Sequence, residues 1–360
     1  MVLFQMNKIV HLIFTMEVGG AENLLVDIAN EQAKYADVLI IIVNNKLDGS
    51  ITKRISKKVR VLCAERREGS WDLGAILKIW KWLISYHPDV IHCHQHNLIN
   101  LLPFWRKRAV ITVHESGVPT GNLKKYRTVF AISAAVRQAI LNRGAIQSSV
   151  IHNGIAINHI RRKIISYYNG SRFYKIVQVS RLYHEIKGQR LAIEAIHNLH
   201  ENGYTNIQLY FIGDGPSLEY LKKLTLELHL EKNIFFLGAK KRTWIYENLY
   251  NFDLLIQPSL YEGFGLTIIE GIAAGLPVIA SNIDGPAEIL KDMPGGFSFD
   301  LNKPFDLDST IKKVIELTMQ NKIQELCASS MEMVHQKYSI CQTANNYLKK
   351  YPSYFKNVAI

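Results

Sequence analysis

The 360-residue sequence is short of three things: cysteine, long apolar runs and, in its first half, acidic side chains. Its four cysteines (Cys63, Cys93, Cys327 and Cys341) stand far apart, and none forms a CxxC pair. That argues against a disulfide framework and a structural zinc site, and it suits a reducing compartment. No apolar stretch approaches the roughly 18–20 residues that cross a bilayer. The opening residues 1–10 lack the charged start and long apolar stretch of an export signal, so a cytoplasmic location is expected. Solenoid repeats and low-complexity tracts are missing too. What is present, 48% hydrophobic and 21% charged residues, is the make-up of a globular protein long enough for two domains.

The charge is unevenly spread. Residues 1–170 carry 23 basic and 11 acidic side chains, whereas residues 171–360 carry 20 of each, so the whole excess of +12 sits in the first half. A positive field confined to one half points to an anionic partner there: nucleic acid, anionic lipid or a phosphorylated substrate.

Short Ile- and Val-rich runs alternate with helical patterns along the chain. The runs at 8–14, 37–43, 59–63, 89–93, 109–113 and 128–132 read as buried strands, with helices at 21–35, 72–86 and 134–142. After a polar stretch at 158–172 the pattern resumes, with strands at 174–180, 207–213, 233–237, 253–257 and 277–281. The alternation predicts an α/β protein of two doubly wound parallel-sheet (Rossmann-like) domains facing across a cleft, with ligands at the carboxyl ends of the strands. The first domain is read as 1–165 and the second as 172–342. Residues 343–360, which include a helix over 345–356, have no strand partner in the second half and are expected to pack back on the first domain.

Three loops can carry chemistry. Thr15 to Glu22 (TMEVGGAE) follows the first strand and opens a helix; Gly19 and Gly20 allow close backbone approach, and the helix start offers N–H groups to an anion. Its spacing is not that of a dinucleotide fingerprint, nor is that of Gly213-Asp214-Gly215-Pro216. Val179 to Gly188 (VSRLYHEIKG) sets Arg181 and Lys187 after a strand, a pair of cations suited to a pyrophosphate. Tyr261 to Gly271 (YEGFGLTIIEG) flanks a glycine turn with Glu262 and Glu270. The backbone amides of Phe264, Gly265 and Leu266 would lie at the helix start, and carboxylates beside them can accept hydrogen bonds from sugar hydroxyls.

GGAE, VSRL with KG, GDGP, FLG, EGFGLTIIE, AAGLPVIAS and GPAEI stand in the order and spacing of the retaining glycosyltransferases of family 4, which the sequence resembles over nearly its whole length. The resemblance implies the GT-B architecture and the transfer of a sugar from a nucleoside diphosphate, UDP favoured, to a lipid-linked or growing glycan of a bacterial surface. It assigns Arg181 and Lys187 to the donor diphosphate, Glu262 to the donor sugar and Glu270 to the ribose. Gly19 and Gly20 would meet the diphosphate; Gly213, Gly215, Leu237 and Gly238 would line the base. His114, in TVHE, matches a histidine lying against the donor sugar, and Asn153 matches an NG motif before the linker. No cofactor or metal is implied. Ser180, where the family often has Gly, and Gly271, where Ala is usual, keep the backbone space. The short connection from His114 to Ser133 implies trimmed acceptor-side loops.

Other readings stay open. His92, His94 and His96 alternate and would share one strand face, which makes zinc conceivable, but no acidic or cysteine partner completes the set. The resemblance instead places His94 and His96 towards the acceptor. Ser133 reads as a helix N-cap. On the helix at 72–86, Ile76, Ile79, Trp80, Leu83 and Ile84 form the stripe expected to be buried, with Trp82 opposite beside Lys78 and Lys81. Phe104, Trp105, Arg106, Lys107 and Arg108, with Lys53, Arg54, Lys57, Lys58, Lys124, Lys125 and Arg127, would complete a basic-aromatic face for an anionic membrane surface. Nucleic acid explains the charge but not the glutamate pair. A sugar-nucleotide epimerase or hydrolase, or a non-catalytic part of a polysaccharide assembly complex, are the alternatives to a transferase.

Overall fold

A computed structural model describes residues 7–17, 19–163 and 168–351. Contacts divide the chain into two compact units, 1–155 with 338–360, and 156–337.

The first unit is built on a seven-stranded parallel sheet. Its strands are β1 (Lys8–Ile13), β2 (Asp37–Asn44), β3 (Val59–Arg66), β4 (Val90–Cys93), β5 (Ala109–Val113), β6 (Thr128–Ala131) and β7 (Ser149–Val150), in the spatial order β3-β2-β1-β4-β5-β6-β7. Central strands are largely apolar because helices cover both faces: seven of the eight residues of β2 are buried. Edge strand β3 instead exposes Arg60, which pairs with Asp37. The order reverses between β1 and β4, so the loops leaving those strands border the crevice where open α/β sheets bind ligands.

The second unit repeats the plan with six parallel strands. These are β8 (Tyr174–Val179), β9 (Ile207–Ile212), β10 (Ile234–Phe236), β11 (Leu254–Gln257), β12 (Val278–Ser281) and β13 (Gly296–Phe299), ordered β10-β9-β8-β11-β12-β13. Here the order reverses between β8 and β11. Eleven of these thirteen strands coincide with the apolar runs of the sequence. The other two, β7 and β13, are too short or too rich in Gly and Ser to show a period.

The limits of 165, 172 and 342 read from sequence fall elsewhere on these units, for a local reason. Arg161 and Lys163 donate backbone N–H groups to Tyr246 O and Ala274 O, and Lys163 pairs with Asp253 at 2.7 Å, all within the second unit. Residues 164 and 165, and 352–360 of the tail, lie outside the described residues. The last described helix is Ile340–Lys350, opened by Ser339, whose side chain accepts from Gln342 N. Its packing follows from Tyr347 and Tyr351, both buried, whose rings meet His92 and Phe130 of the first sheet tilted or edge-on. The chain passes between units at 155/156 and 337/338, and these points are bound together: Ile155 N donates to Tyr338 O and Ile340 N to Ile155 O, each at 2.9 Å.

Two local expectations change. In the helix Leu73–Tyr86, the buried residues are Ala75, Ile79, Leu83 and Tyr86. Ile84 is 60% exposed and lines up with exposed Leu73 and Leu77 and half-buried Trp80, at spacings of four, three and four; Trp82 is half-buried rather than outward. Arg54 is not part of a free basic face, because it is paired with Asp27 and Asn23. Ser133 does cap its helix, accepting from Val136 N at 3.2 Å.

Because the first unit depends on the terminal helix, Tyr347→Ala should cost about 3–5 kcal/mol, the range for emptying a large buried aromatic site. Four of the five tryptophans (Trp71, Trp80, Trp82, Trp105) lie in that unit, so urea unfolding followed by tryptophan fluorescence measures it.

Candidate active site

The carboxyl edge of the second sheet is assembled by backbone contact. β8 ends at Val179, and Ser180 to Gly188 turn through the short helix His184–Lys187. Gly188 follows with φ +65°, and a Cβ there would lie 1.8 Å from Pro258 O, so only glycine lets this loop meet the loop after β11. Ile186 O then accepts from Leu260 N at 2.8 Å. Gly213 is equally constrained: at φ +148° its Cβ would fall 1.9 Å from Ser180 O.

Three buried glutamines brace these turns. Gln178 Nε2 donates to Lys187 O at 2.7 Å, Gln189 Nε2 donates to Ser180 Oγ and Arg181 O at 2.9 Å each, and Gln257 Nε2 donates to Ser259 Oγ at 3.0 Å. Sequence reasoning missed them, although a Gln near the end of an apolar strand is itself a signal. The Ser180 hydroxyl therefore has structural work in this bracing, as the acceptor of Gln189.

The bracing presents charge. Lys187 Nζ lies 2.7 Å from Glu262 Oε2, with the side chains 24% and 17% exposed. Arg181 is exposed and has no ion-pair partner among the described residues. Phe264 is buried, Gly265 takes φ +103° as the residue before the helix Leu266–Ala273, and Leu266 begins it. One turn on, Glu270 is buried with Arg242 Nε 3.6 Å from its Oε1. Arg242, stacked on the Tyr246 ring, was not anticipated. Gly213 N donates to Gly238 O at 3.0 Å, which brings together the two loops that carry Gly213, Gly215, Leu237 and Gly238. Arg181, Lys187, Glu262, Phe264, Gly265, Leu266, Glu270 and these four all belong to the loops and helix start that follow strands of one unit.

In the first unit, the loops after β1, β4 and β5 carry the corresponding candidates. Gly19 is extended and Gly20 opens the helix Gly20–Gln32. The Glu22 carboxylate folds back to this helix start, 2.2 Å from where a Gly19 Cβ would be; burial raises its pKa. His94 follows β4 and His114 follows β5, their rings 5.9 Å apart and nearly parallel. His96 departs from the expected alignment: it begins the 3-10 helix His96–Leu101 and is half-buried, so it does not share a face with His92 and His94. Asn153 is buried, and Gly154 beside it packs on Ser339 O.

His11, in the middle of β1, takes the third place beside His92 and His94. The ligand atoms of these three lie within 4.8 Å of one another, but both ring nitrogens of His92 are already bonded, to Tyr351 OH and Thr112 Oγ1. The trio is a hydrogen-bonded network. Burial pushes the imidazoles of His11 and His114 down to about 4 and those of His92 and His94 well below the ordinary 6.5, the latter two helped by neighbouring histidines.

With these geometries in place, comparisons with known proteins add three findings. Residues 18–159 match the family model described as Glycosyltransferase Family 4, and residues 166–328 match Glycosyl transferases group 1. The chain is 26% identical to the UDP-Gal:alpha-D-GlcNAc-diphosphoundecaprenol alpha-1,3-galactosyltransferase of Escherichia coli, covering 69% of this chain and 70% of that one. It is 38% identical to Protein CapJ of Staphylococcus aureus over 32% of this chain, and spans only 29% of that relative. Among solved structures, Anabaena HepE in complex with UDP and glucose superposes with a TM-score of 0.79 at 22% identity, covering 97% of this chain and 100% of that one. The shared fold is GT-B.

The depressed histidines set a pH dependence. Unfolding returns each to about 6.5, so between pH 6.5 and 4 the unfolded chain binds more protons and stability falls as the pH drops. Each histidine protonated only on unfolding removes about 1.4 kcal/mol per pH unit. Urea unfolding of the first unit at pH 7, 6 and 5 should show a steep loss, and His92→Gln should flatten it.

Proposed function

The chain belongs to the glycosyltransferases of family 4, and from that premise we propose that it transfers a sugar, with retention of configuration, from a nucleoside diphosphate to a glycan hydroxyl. The observation that carries this reading is the Lys187–Glu262 pair, 2.7 Å apart, with exposed Arg181 in the same loop after β8, where strand order reverses. A diphosphate arriving there meets two cations, and Glu262, released from Lys187, can accept hydrogen bonds from the donor sugar. Glu270, oriented by Arg242, holds the ribose. As the sugar–phosphate bond breaks, charge grows on the departing diphosphate, and Arg181 and Lys187 stabilise it electrostatically. The departing oxygen takes the proton of the attacking hydroxyl on the same face of the sugar. Two fixed cations provide the charge a divalent ion would otherwise bring, so no metal is required.

UDP is the favoured donor nucleotide, supported by the UDP in Anabaena HepE and the UDP-Gal in the name of the E. coli relative. That second name also supports a lipid-linked acceptor in surface polysaccharide synthesis. A lipid-linked acceptor fits the first unit's surface. Leu73, Leu77 and Ile84 form an exposed apolar stripe that continues through Trp80 to Phe104, 74% exposed and 5.3 Å from the Trp80 ring. Exposed Lys78, Lys81, Arg106, Lys107 and Arg108 flank it. No helix among the described residues is long and apolar enough to cross a membrane. Such a stripe suits peripheral attachment to the inner face of the cytoplasmic membrane, each basic residue adding about 1 kcal/mol near an anionic leaflet.

Three measurements test this reading. In a thermal-shift panel of UDP-, GDP- and ADP-sugars, the true donor at 100 times its Kd should stabilise the protein by about 2.7 kcal/mol. Lys187→Ala should lower kcat by at least ~100-fold, as for loss of one charge-stabilising group, with circular dichroism unchanged and EDTA without effect on the wild type. Retained turnover in that variant, or turnover of donor without acceptor, would contradict the proposal. Replacing Arg106, Lys107 and Arg108 by Gln should weaken sedimentation with anionic liposomes and leave donor affinity intact.

A further inference from the structure

The first sheet carries an open cavity at its other edge. It measures about 620 Å³ and lies at the amino ends of β6 and β7, where Thr128 and Ser149 begin their strands. These strands run parallel to their neighbours, so the cavity is at the edge opposite the loops after β1, β4 and β5. Its volume suits a small molecule, and both of its walls belong to the first unit.

One wall, residues 123–129, is cationic. Lys124 and Arg127 are exposed, and neither side chain has a hydrogen bond or ion pair with another described residue. Lys125, which does not line the cavity, is by contrast bonded to Asn122 Oδ1 at 2.8 Å and Asn100 Oδ1 at 3.3 Å. The segment itself is held in place. Tyr126 OH accepts from Ile99 N at 3.1 Å, Arg127 N donates to Ala109 O at 2.9 Å, and Leu123 is buried. None of the described residues that line the cavity is acidic. Two uncommitted cations on a fixed backbone, with no carboxylate to answer them, select an anion, and a phosphate can take donors from both.

The facing wall, residues 144–149, has the opposite character. The helix Ala134–Gly144 ends there: Ala145 N donates back to Leu141 O at 2.8 Å, while Gly144 O accepts no backbone hydrogen bond from the described residues. Carbonyls at a helix end carry partial negative charge and lack donors. This wall is unfavourable to a bare anion and favourable to hydroxyl groups. A ligand that matches both walls bears a phosphate on one side and hydroxyls on the other.

We propose that the cavity binds a phosphate ester of a small polyol, with Lys124 and Arg127 on the phosphate and the end of the helix Ala134–Gly144 on the hydroxyls. Two sources share that chemistry: a soluble phosphorylated polyol and the phosphoglycerol headgroup of an anionic lipid. Arg106, Lys107 and Arg108, just before β5, lie at the same sheet edge, which suits the second source. The proposal is separate from the transferase reading, because no residue assigned to transfer lines the cavity. It also differs from diffuse attraction of a basic face, which does not distinguish headgroups of equal charge.

Calorimetric titration of the full chain with sn-glycerol 3-phosphate, and with inorganic phosphate in parallel, tests the proposal. Glycerol 3-phosphate should bind once per chain and at least ~10-fold tighter than inorganic phosphate, as for one or two added hydrogen bonds. Lys124→Gln combined with Arg127→Gln should weaken it at least ~10-fold, as for lost charge-assisted hydrogen bonds, with Tm unchanged. Lys187→Ala, which alters the phosphate-binding candidate of the other unit, should bind it as the wild type does. No saturable binding, equal binding of the two anions, undiminished binding in the double variant or loss in Lys187→Ala would overturn the proposal. Vesicles then identify the source, since phosphatidylglycerol and phosphatidylserine carry equal net charge. A preference for phosphatidylglycerol that the double variant loses assigns the lipid headgroup; equal sedimentation with both, alongside binding of glycerol 3-phosphate, assigns the soluble ester.

Discussion

The closure of the loop after β8 onto the loop after β11 is the constraint on which the rest of the site depends. With Gly188 pressed on Pro258 O and Ile186 O bonded to Leu260 N, the last residue of a four-residue helix, Lys187, is delivered to Glu262. Neither charge is fully exposed, and each answers the other's desolvation while the site is empty. Parting such a pair is costly unless each charge finds a new partner, and a diphosphate for Lys187 with a sugar hydroxyl for Glu262 would supply both.

The same logic explains why charge is spread so differently over the two halves. The second half is neutral overall, and its cations at the site are few and held by backbone contacts. The first half buries His11, His92 and His94, whose pKa values burial lowers, and carries its excess of +12 mostly on exposed lysines and arginines. Interior and surface there obey opposite rules: desolvation strips protons inside, and water tolerates like charges outside. Attraction to an anionic surface therefore need not disturb the buried histidine network.

Much of the fold was legible because parallel strands covered on both faces are continuous apolar runs, as in β2 and β12, whose period needs no tertiary information. β7 was illegible because two residues carry no period, and β13 because Gly296 and Ser298 interrupt its apolar run. In the helix Leu73–Tyr86 two apolar stripes coexist; the sequence displays both and does not say which the sheet takes, and Ile84 went to the wrong one. The second-unit residues proposed for the site could be picked out by motif. Their supports could not: Gln178, Gln189 and Arg242 act through contacts set by loop closure, which no local spacing encodes.

His11 is the most instructive omission. A histidine inside the apolar run KIVHLI looks like a tolerated core residue, while the alternation of His92, His94 and His96 invites a metal. Strand order decides otherwise. β1 lies beside β4, so His11 sits opposite His92 in register, and the chain turns into a 3-10 helix before His96 can join them. The imidazoles that meet are then claimed by Gln32, Thr112 and Tyr351, each from a different element. A polar residue in a buried strand has to find its partners across the sheet. When the last of those partners comes from the far end of the chain, the network ties the terminal helix to the first sheet more specifically than apolar packing could.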